Sequence, residues 1–397
     1  MYFNNFNISR LPRILFGRGR INELAGLISN YGERVLLVTG RSSFQNSRNW
    51  ENLSQSLAKQ NTRWHKVVVS SEPSPPLVDD IVQRHRQLKI ELVVAIGGGS
   101  VLDAGKAIAG LLPHGNSVMD HLEGVGKGIE YHGPALPFIA APTTAGTGSE
   151  ATKNAVLSIH GKQGFKKSFR HDCLVAEYAI IDPDLLQSCP PELMAADGMD
   201  AFTQLLESYV SLKANPMIDT LAWSGIEAVK QGFFDAWRGH EPSASDGRAA
   251  MAYAALLSGI SLAQVGLGSV HGLASPLGAF FPIPHGVVCG TLLAAATEIN
   301  IRAMQQREPN NPALGKYAQV GRFLSDRPDS NEQQSFDCLV ETLNDWTEQL
   351  GLQHLSSYGI KASDFDRIVS QSRGSSMLTN PIVLTDDEIG QILQQRL

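Results

Sequence analysis

The chain has 397 residues, of which 43% are hydrophobic and 18% charged, and its net charge is −6 from 33 basic and 39 acidic residues. This length exceeds what one hydrophobic core usually serves, so two domains are expected. The mild negative charge and the lack of a Lys/Arg cluster argue against nucleic acid as a partner.

The N-terminal segment 1–17 has no basic stretch followed by an apolar core, so we predict no signal peptide. The longest apolar region, 256–296, is interrupted by Gly, Pro, Gln and His, so we predict no membrane span and no membrane partner. The 4 cysteines form no C-x-x-C pair, so neither a disulfide framework nor a thiolate zinc site is expected. These features favour a cytoplasmic protein.

The first half of the chain alternates short apolar runs with helical patterns. Strands are predicted at 34–39, 64–69, 91–96, 137–141 and 178–181, with helices at 49–59 and 78–87 between them. Strands separated by helices at this spacing are typical of βαβ units, so a mostly parallel sheet is expected.

The second half loses its β-branched runs and carries helical periodicity. Helices are predicted at 193–212, 215–236, 246–265, 287–304, 332–350 and 363–372. Polar segments at 306–316 and 325–334 are predicted as surface loops. We place the boundary near Asp182-Pro183, which gives an α/β domain over 1–183 and an all-helical domain over 184–397.

A glycine-rich loop follows the strand predicted at 91–96. Gly97, Gly98, Gly99 and Ser100 precede a helix, and this arrangement is suited to binding a phosphate through backbone N–H groups and the helix dipole. The loop matches neither G-x-G-x-x-G nor the Walker A pattern. The alternative is a tight turn with Ser100 as N-cap. Asp103 either reinforces the helix dipole or holds the loop and a ligand hydroxyl.

A second loop of similar composition follows the strand at 137–141. Thr143, Thr144, Thr147 and Ser149, with two glycines between them, supply hydroxyl and backbone donors over a short span. The alternative is a flexible connector. Two such loops at strand ends of one α/β domain favour a dinucleotide over a mononucleotide.

Polar residues in the helical half have the spacing of a metal site. Asp200 and Gln204 are four residues apart and share one helix face. His271 and His285 lie in apolar, glycine-rich surroundings. Two histidines and a carboxylate are a common set of catalytic metal ligands. The alternative is that both histidines are hydrogen-bonded core residues.

Taken together, these motifs resemble the iron-containing (group III) alcohol dehydrogenase family, which is related to dehydroquinate synthase. The matching segments are 12–17, 97–106, 143–150, 179–183, 198–201 and 271–286. The resemblance implies a Rossmann-like α/β domain, an all-α C-terminal domain, and a crevice for NAD(P) and a divalent metal, Fe²⁺ or Zn²⁺. It further implies hydride transfer between nicotinamide and a small alcohol or aldehyde. We also predict a homodimer.

The resemblance assigns the metal to one aspartate and three histidines. By motif these fall on Asp200, His271 and His285, which we predict as both catalytic and metal-binding residues. The remaining histidine position holds Gln204, predicted as a weak fourth ligand. A further family histidine near the nicotinamide falls on Ser275.

Other positions carried over from the family are less closely fixed by local sequence. Lys167 matches a lysine that faces the cofactor, and Asn154 matches a polar pocket position. Phe165, Phe169 and Phe280 are predicted either to line the pocket or to lie in the core.

Three alternative functions stay open: a metal-free maleylacetate reductase-like enzyme, a dehydroquinate synthase-like lyase and a non-catalytic cofactor-binding protein.

Cofactor preference is expected to depend on the turn after the second strand. Enzymes that select NAD usually place an acidic residue there, which repels a 2′-phosphate. This chain has Gly40, Arg41, Ser42 and Ser43 instead, which provide space, charge and hydrogen-bond donors. We therefore predict that NADP is accepted and preferred over NAD; the alternative is a surface turn with an incidental arginine.

Overall fold

The structure is a computed structural model that describes residues 5–397. The first four residues of the segment for which no signal peptide is predicted lie outside this range. The described residues form eight strands: β1 (Arg13–Phe16), β2 (Arg34–Thr39), β3 (Arg63–Val68), β4 (Leu92–Gly97), β5 (Phe138–Pro142), β6 (Asn154–Ile159), β7 (Phe165–Arg170) and β8 (Tyr178–Ile181).

Six strands form one parallel sheet in the order β1-β8-β5-β4-β2-β3. Strands β4 and β5 are buried along their whole length, as their unbroken apolar sequences require in a sheet covered on both faces. The chain crosses from β3 over β2 to β4, so a crevice opens at the carboxyl ends of β2 and β4. The edge strand β1 and the antiparallel hairpin β6–β7 are not among the predicted elements.

Four helices belong to the same half: α1 (Leu24–Ile28), α2 (Arg48–Lys59), α3 (Pro75–His85) and α4 (Gly99–Leu111). Helices α2 and α3 begin at serine N-caps, Ser47 and Ser74, whose hydroxyls accept backbone N–H groups. Helix α4 differs, because its N-cap is Gly98 and it has no side-chain cap. The alternative of Ser100 as N-cap is therefore wrong, since Ser100 lies inside the first turn.

The second half is helical. Its nine α-helices within the described residues are α5 (Pro191–Val210), α6 (Pro216–Arg238), α7 (Ser243–Val265), α8 (Ser269–Phe280), α9 (His285–Arg307), α10 (Pro312–Leu324), α11 (Glu332–Gln349), α12 (Phe365–Gln371) and α13 (Asp386–Gln395). Six of them were predicted. Helices α8, α10 and α13 were not, and the loop predicted at 306–316 is shorter than expected because α9 and α10 extend into it.

Helices α7 and α8 meet at a sharp break. Their axes are bent by 100° where Gly266 adopts a φ of +74°, a backbone conformation that favours glycine. The break directs α8, which carries His271, into the interior. Helix α9 has the length and composition of a membrane span, but 83% of its most apolar window is buried inside the protein, as in a core helix.

The second glycine loop packs against helix α7 without intervening side chains. A Cβ atom on Gly148 would lie 2.4 Å from the Cα atom of Gly259.

The last strand of the sheet ends at Ile181, and the first long helix of the second half begins at Pro191. The domain boundary predicted at 183 falls in this connection and stays a prediction.

Candidate functional site

A cavity of about 750 Å³ is lined by the carboxyl ends of the sheet strands and by the helical half. Eleven of the predicted cofactor residues line it: Ser43, Gly98, Gly99, Ser100, Asp103, Thr143, Thr144, Thr147, Ser149, Asn154 and Lys167. Gly40, Ser42 and Gly97 do not. Gly97 contacts the lining instead: its carbonyl accepts the N–H of Thr143, which lines the cavity, at 3.0 Å.

The glycine loop supports the second loop by close packing. A Cβ on Gly99 would lie 2.7 Å from Oγ1 of Thr147, and a Cβ on Gly98 would lie 3.3 Å from Cγ2 of Thr144. A side chain at Gly99 would therefore displace Thr147, so this glycine preserves the contact between the two loops. Helix α4 has no side-chain cap and its first residues, Gly99 and Ser100, line the cavity, so its first N–H groups suit an anionic pyrophosphate.

Asp103 connects the two loops. Its carboxylate accepts the Ser149 hydroxyl at 2.5 Å and the Val156 N–H at 3.2 Å, and it pairs with the ammonium group of Lys106 at 3.2 Å. Lys106 in turn donates to the Ser149 carbonyl and to Oγ1 of Thr152, both at 2.9 Å. Burial lowers the pKa of Lys106, although Asp103 acts in the opposite direction. This network links the second loop to α4 beside the cavity.

Four side chains from three helices converge beside the cavity, and three of them, Asp200, His271 and His285, line it. Asp200 of α5, His271 of α8, and His285 and Cys289 of α9 each place a donor atom within 4.8 Å of the others. Nε2 of His271 lies 3.2 Å from Oδ1 of Asp200, and Nε2 of His285 lies 3.7 Å from the same oxygen. The structure therefore brings together the three residues that the motifs selected. Cys289, one helical turn after His285, was not selected.

The orientation of His271 is set by a buried carboxylate that is not among the residues predicted from the sequence. Nδ1 of His271 donates to Oε2 of Glu207 at 2.7 Å, and the N–H of Val270 donates to the other carboxylate oxygen at 2.7 Å. With Nδ1 donating to Glu207, Nε2 is directed at Asp200, which is the ring orientation that a metal ligand needs. Glu207 lies seven residues after Asp200, on the same face of α5, and this spacing could have indicated it.

The protonation states of Asp200 and His285 fit a cation. Burial acts to raise the pKa of Asp200, but His285 and His271 outweigh burial and lower that pKa to about 2. Burial, assisted by the charge of Lys166, lowers the pKa of His285 to about 4. Burial likewise acts to lower the pKa of His271, but Cys289, Glu207 and Asp200 outweigh burial and raise that pKa well above its usual value. An ionised carboxylate and a neutral imidazole are the forms that bind metals, so Asp200 and His285 are in the binding form, whereas a metal at His271 would displace the proton of Nε2.

The two positions where the chain departs from the family motif are both occupied by hydrogen-bonded groups. Oε1 of Gln204 accepts the hydroxyl of Ser258 at 2.7 Å. The hydroxyl of Ser275 donates to the backbone carbonyl of Lys166 at 3.1 Å. Both side chains line the cavity. However, the carbonyl oxygen of Gln204 and the hydroxyl of Ser275 already form hydrogen bonds within the protein.

The three phenylalanines left open between pocket and core do not line this cavity. Phe169 is fully buried in the core of the α/β half, and Phe165 packs against the same cluster. The ring of Phe280 lies under the guanidinium of Arg367, 3.6 Å from its carbon. These three aromatic side chains therefore contribute to packing and not to the cavity wall.

Comparison with known proteins identifies the family. The family described as "Iron-containing alcohol dehydrogenase" matches residues 12–183, and "Fe-containing alcohol dehydrogenase family, C-terminal" matches residues 194–397. Alcohol dehydrogenase 4 of Schizosaccharomyces pombe is 31% identical over 390 residues, which cover 96% of this chain and 87% of that protein. Long-chain-alcohol dehydrogenase 1 of Geobacillus thermodenitrificans is 32% identical over 385 residues, with 95% and 93% covered. NADPH-dependent butanol dehydrogenase of Clostridium saccharobutylicum is 28% identical over 393 residues, with 97% and 96% covered.

Solved structures share the complete fold. A 1,3-propanediol oxidoreductase superimposes with a TM-score of 0.87 at 26% identity and covers 99% of this chain and 100% of its own. Sulfoacetaldehyde reductase from Bifidobacterium kashiwanohense, in complex with NAD⁺, gives 0.84 at 26% identity and covers 99% of both chains. The predicted fold, a Rossmann-like α/β part followed by a helical part, is confirmed.

The predicted activity and cofactors are confirmed as well. The relatives are oxidoreductases that act on CH–OH groups, and the family, a neighbouring NAD⁺ complex and the side-chain cluster support NAD(P) and a divalent metal. With both halves matched and about 30% identity over nearly its whole length, the chain belongs to the iron-containing alcohol dehydrogenase family.

Proposed function

We propose that Asp200, His271 and His285 hold the divalent metal of this alcohol dehydrogenase. The observation that supports this most directly is the convergence of their donor atoms within 4.8 Å, in the cavity that also contains both glycine loops. When bound, the metal supplies a Lewis acid for the oxygen of the alcohol or aldehyde. Gln204 stays a prediction as fourth ligand, and its hydrogen bond with Ser258 counts against it.

The residues of the chain provide orientation. Glu207 holds the His271 ring so that Nε2 is directed at Asp200. The N-terminus of α4 and the second loop bind the cofactor phosphates, and the network of Asp103 and Lys106 keeps that loop rigid. A fixed loop places the nicotinamide ring against the substrate carbon with little loss of entropy during the reaction.

We propose NADP as the preferred cofactor. A Cβ on Gly40 would lie 4.0 Å from Val101, which lines the cavity, so the turn after β2 adjoins the first turn of α4. Arg41 and Ser42 in this turn are exposed and no acidic side chain accompanies them. The butanol dehydrogenase relative is described as NADPH-dependent, whereas the sulfoacetaldehyde reductase structure holds NAD⁺.

We propose that the substrate is a small, uncharged primary alcohol or the matching aldehyde. Three cations of β7, Lys166, Lys167 and Arg170, line the cavity and would favour an acidic substrate if they were free. However, Lys166 pairs with Glu72 at 2.7 Å and Arg170 pairs with Glu123 at 3.5 Å. Most of this charge is neutralised, so the cavity wall offers an anion little attraction. The names of two relatives, which specify butanol and 1,3-propanediol, agree with this proposal.

Three organisational predictions accompany this function: domains at 1–183 and 184–397, a homodimer, and a cytoplasmic location. For the homodimer, support comes from the edge strand β1, where Ile14 and Phe16 are 38% and 41% exposed. An unpaired edge with apolar side chains is a surface that a second copy can extend. Light scattering of the purified protein tests this, and a monomer at micromolar concentration would contradict it.

The metal assignment is tested with variants of its ligands. The wild type is expected to bind one metal ion and to oxidise short primary alcohols with NADP⁺. Asp200→Ala and His285→Ala are expected to lose the metal and at least about 100-fold in kcat/KM, because several kcal/mol of electrostatic stabilisation disappear. NADPH binding, followed by fluorescence, should be retained. His354→Ala, an exposed histidine, is the control. Full activity of a metal-free protein would overturn the assignment.

A further inference from the structure

We propose that Cys289 is the fourth protein ligand of the metal and takes over the role that the histidine replaced by Gln204 would have had. This inference rests on the proposed metal site. It assigns to the site a thiolate that no sequence motif indicates, since the four cysteines form no C-x-x-C pair.

The positions of the donor atoms carry the argument. Sγ of Cys289 lies 3.6 Å from Nε2 of His271 and 3.8 Å from Nε2 of His285. Ligands 2.0–2.3 Å from a tetrahedral metal are separated by about 3.3–3.8 Å along each edge. The two sulfur–nitrogen distances match this spacing, as do the contacts of both histidines with Asp200 at 3.2 and 3.7 Å.

Local structure places the sulfur beside the other donor atoms and gives the Gln204 amide oxygen a different partner. Cys289 and His285 lie four residues apart on α9, so both side chains leave the same face of the helix. Gln204 also lies one turn from a ligand, Asp200, but its amide oxygen is held by Ser258 at 2.7 Å. One donor is lost on α5 and one is gained on α9, so the number of protein donors stays the same.

Replacing a histidine ligand by a cysteine ligand would change the charge of the metal site. Metal binding would release the thiol proton to solvent and form a metal–sulfur bond, with no change of oxidation state. Asp200 and the Cys289 thiolate would then balance the two positive charges of the metal, whereas an aspartate with three neutral imidazoles leaves one unbalanced. A thiolate is also a softer donor than an amide oxygen and favours Zn²⁺ or Co²⁺ over Mg²⁺ or Mn²⁺.

Cobalt substitution under reducing conditions tests this proposal. The wild-type protein loaded with Co²⁺ is expected to show a thiolate-to-cobalt charge-transfer absorption in the near ultraviolet. Cys289→Ala should lose this absorption and bind Co²⁺ at least about 100-fold more weakly, beyond the usual effect of a residue that merely orients a ligand. Cys338→Ala, which removes a buried free cysteine elsewhere, should change neither. Gln204→Ala should retain the absorption and bind within about threefold of wild type.

X-ray absorption of the wild-type zinc or cobalt protein provides a measurement that needs no variant, with one sulfur neighbour expected at about 2.3 Å. A metal shell without sulfur, or a Cys289→Ala protein with unchanged affinity, would overturn the proposal and leave the assignment of Asp200, His271 and His285 intact. A folded wild type that binds NADPH but no metal would overturn both.

Discussion

Glu207 and His271 form a buried pair in which Nδ1 of the imidazole donates to the carboxylate at 2.7 Å, with both side chains less than a tenth exposed. Glu207→Ala would leave this N–H and that of Val270 without an acceptor and would release the ring. We expect a 10- to 100-fold loss of metal affinity, measured by competition with a chelator, as is typical for residues that orient metal ligands. Glu207→Gln keeps an acceptor and should recover part of the loss. Equal affinities in all three proteins would show that the pair has only a structural role.

Cofactor selectivity should respond to charge at Arg41. Replacement by Asp introduces an acceptor for a ribose hydroxyl and repels a 2′-phosphate. Because a charge-assisted hydrogen bond contributes about 1.5–3 kcal/mol, the ratio of kcat/KM for NADPH to that for NADH should fall at least about 10-fold. Arg63→Asp, an exposed change at the opposite end of neighbouring strand β3, is the control. A wild type that clearly prefers NADH would already refute the NADP proposal.

The free energy of unfolding should depend on pH through the carboxyl group of Glu150. Burial raises the pKa of this carboxyl from 4.5 to about 7. Between these two values the folded state binds more protons than the unfolded state, so this group lowers the free energy of unfolding as the pH rises. Glu150→Gln removes the effect, which corresponds to about 3 kcal/mol for such a pKa difference.

The variant should therefore gain stability relative to wild type as the pH rises from 5 to 8, as measured by urea unfolding. Glu51→Gln, an exposed carboxyl on α2, controls for the change in net charge. A difference between Glu150→Gln and wild type that does not vary with pH would contradict the prediction.

The contact between the second loop and α7 should tolerate no side chain. Gly148 has a φ of +58°, and its Cβ would overlap Gly259, whereas Gly124 has a φ of +74° and nothing within 4 Å. Gly124→Ala should therefore cost only the backbone strain, about 1–2 kcal/mol of unfolding free energy. Gly148→Ala should cost about 1–3 kcal/mol more through overpacking. It should also weaken NADPH binding, because the loop that lines the cavity has to move. Equal losses in both variants would refute the packing argument.

Much of the fold follows from local patterns in the sequence. Strands β2, β4 and β5 are unbroken apolar runs bounded by turn residues, and the longer helices repeat apolar residues with helical spacing, so each was predicted to within a few residues. Helix α8 was missed because glycines and a proline mask its periodicity. The hairpin β6–β7 was missed because its second strand, with the sequence FKKSFR, is polar and only partly buried.

The sequence by itself determined the chemistry of the site: Asp200, His271 and His285 stand in motifs whose residue types suit a metal, and the glycine loops suit a dinucleotide. Only the tertiary structure decided which other groups share that site. Glu207 and Cys289 reach it because α5, α8 and α9 cross there, and Ser258 of α7 engages Gln204. A sequence specifies which side chains share one helix face, but contacts between separate helices depend on packing that no local pattern contains.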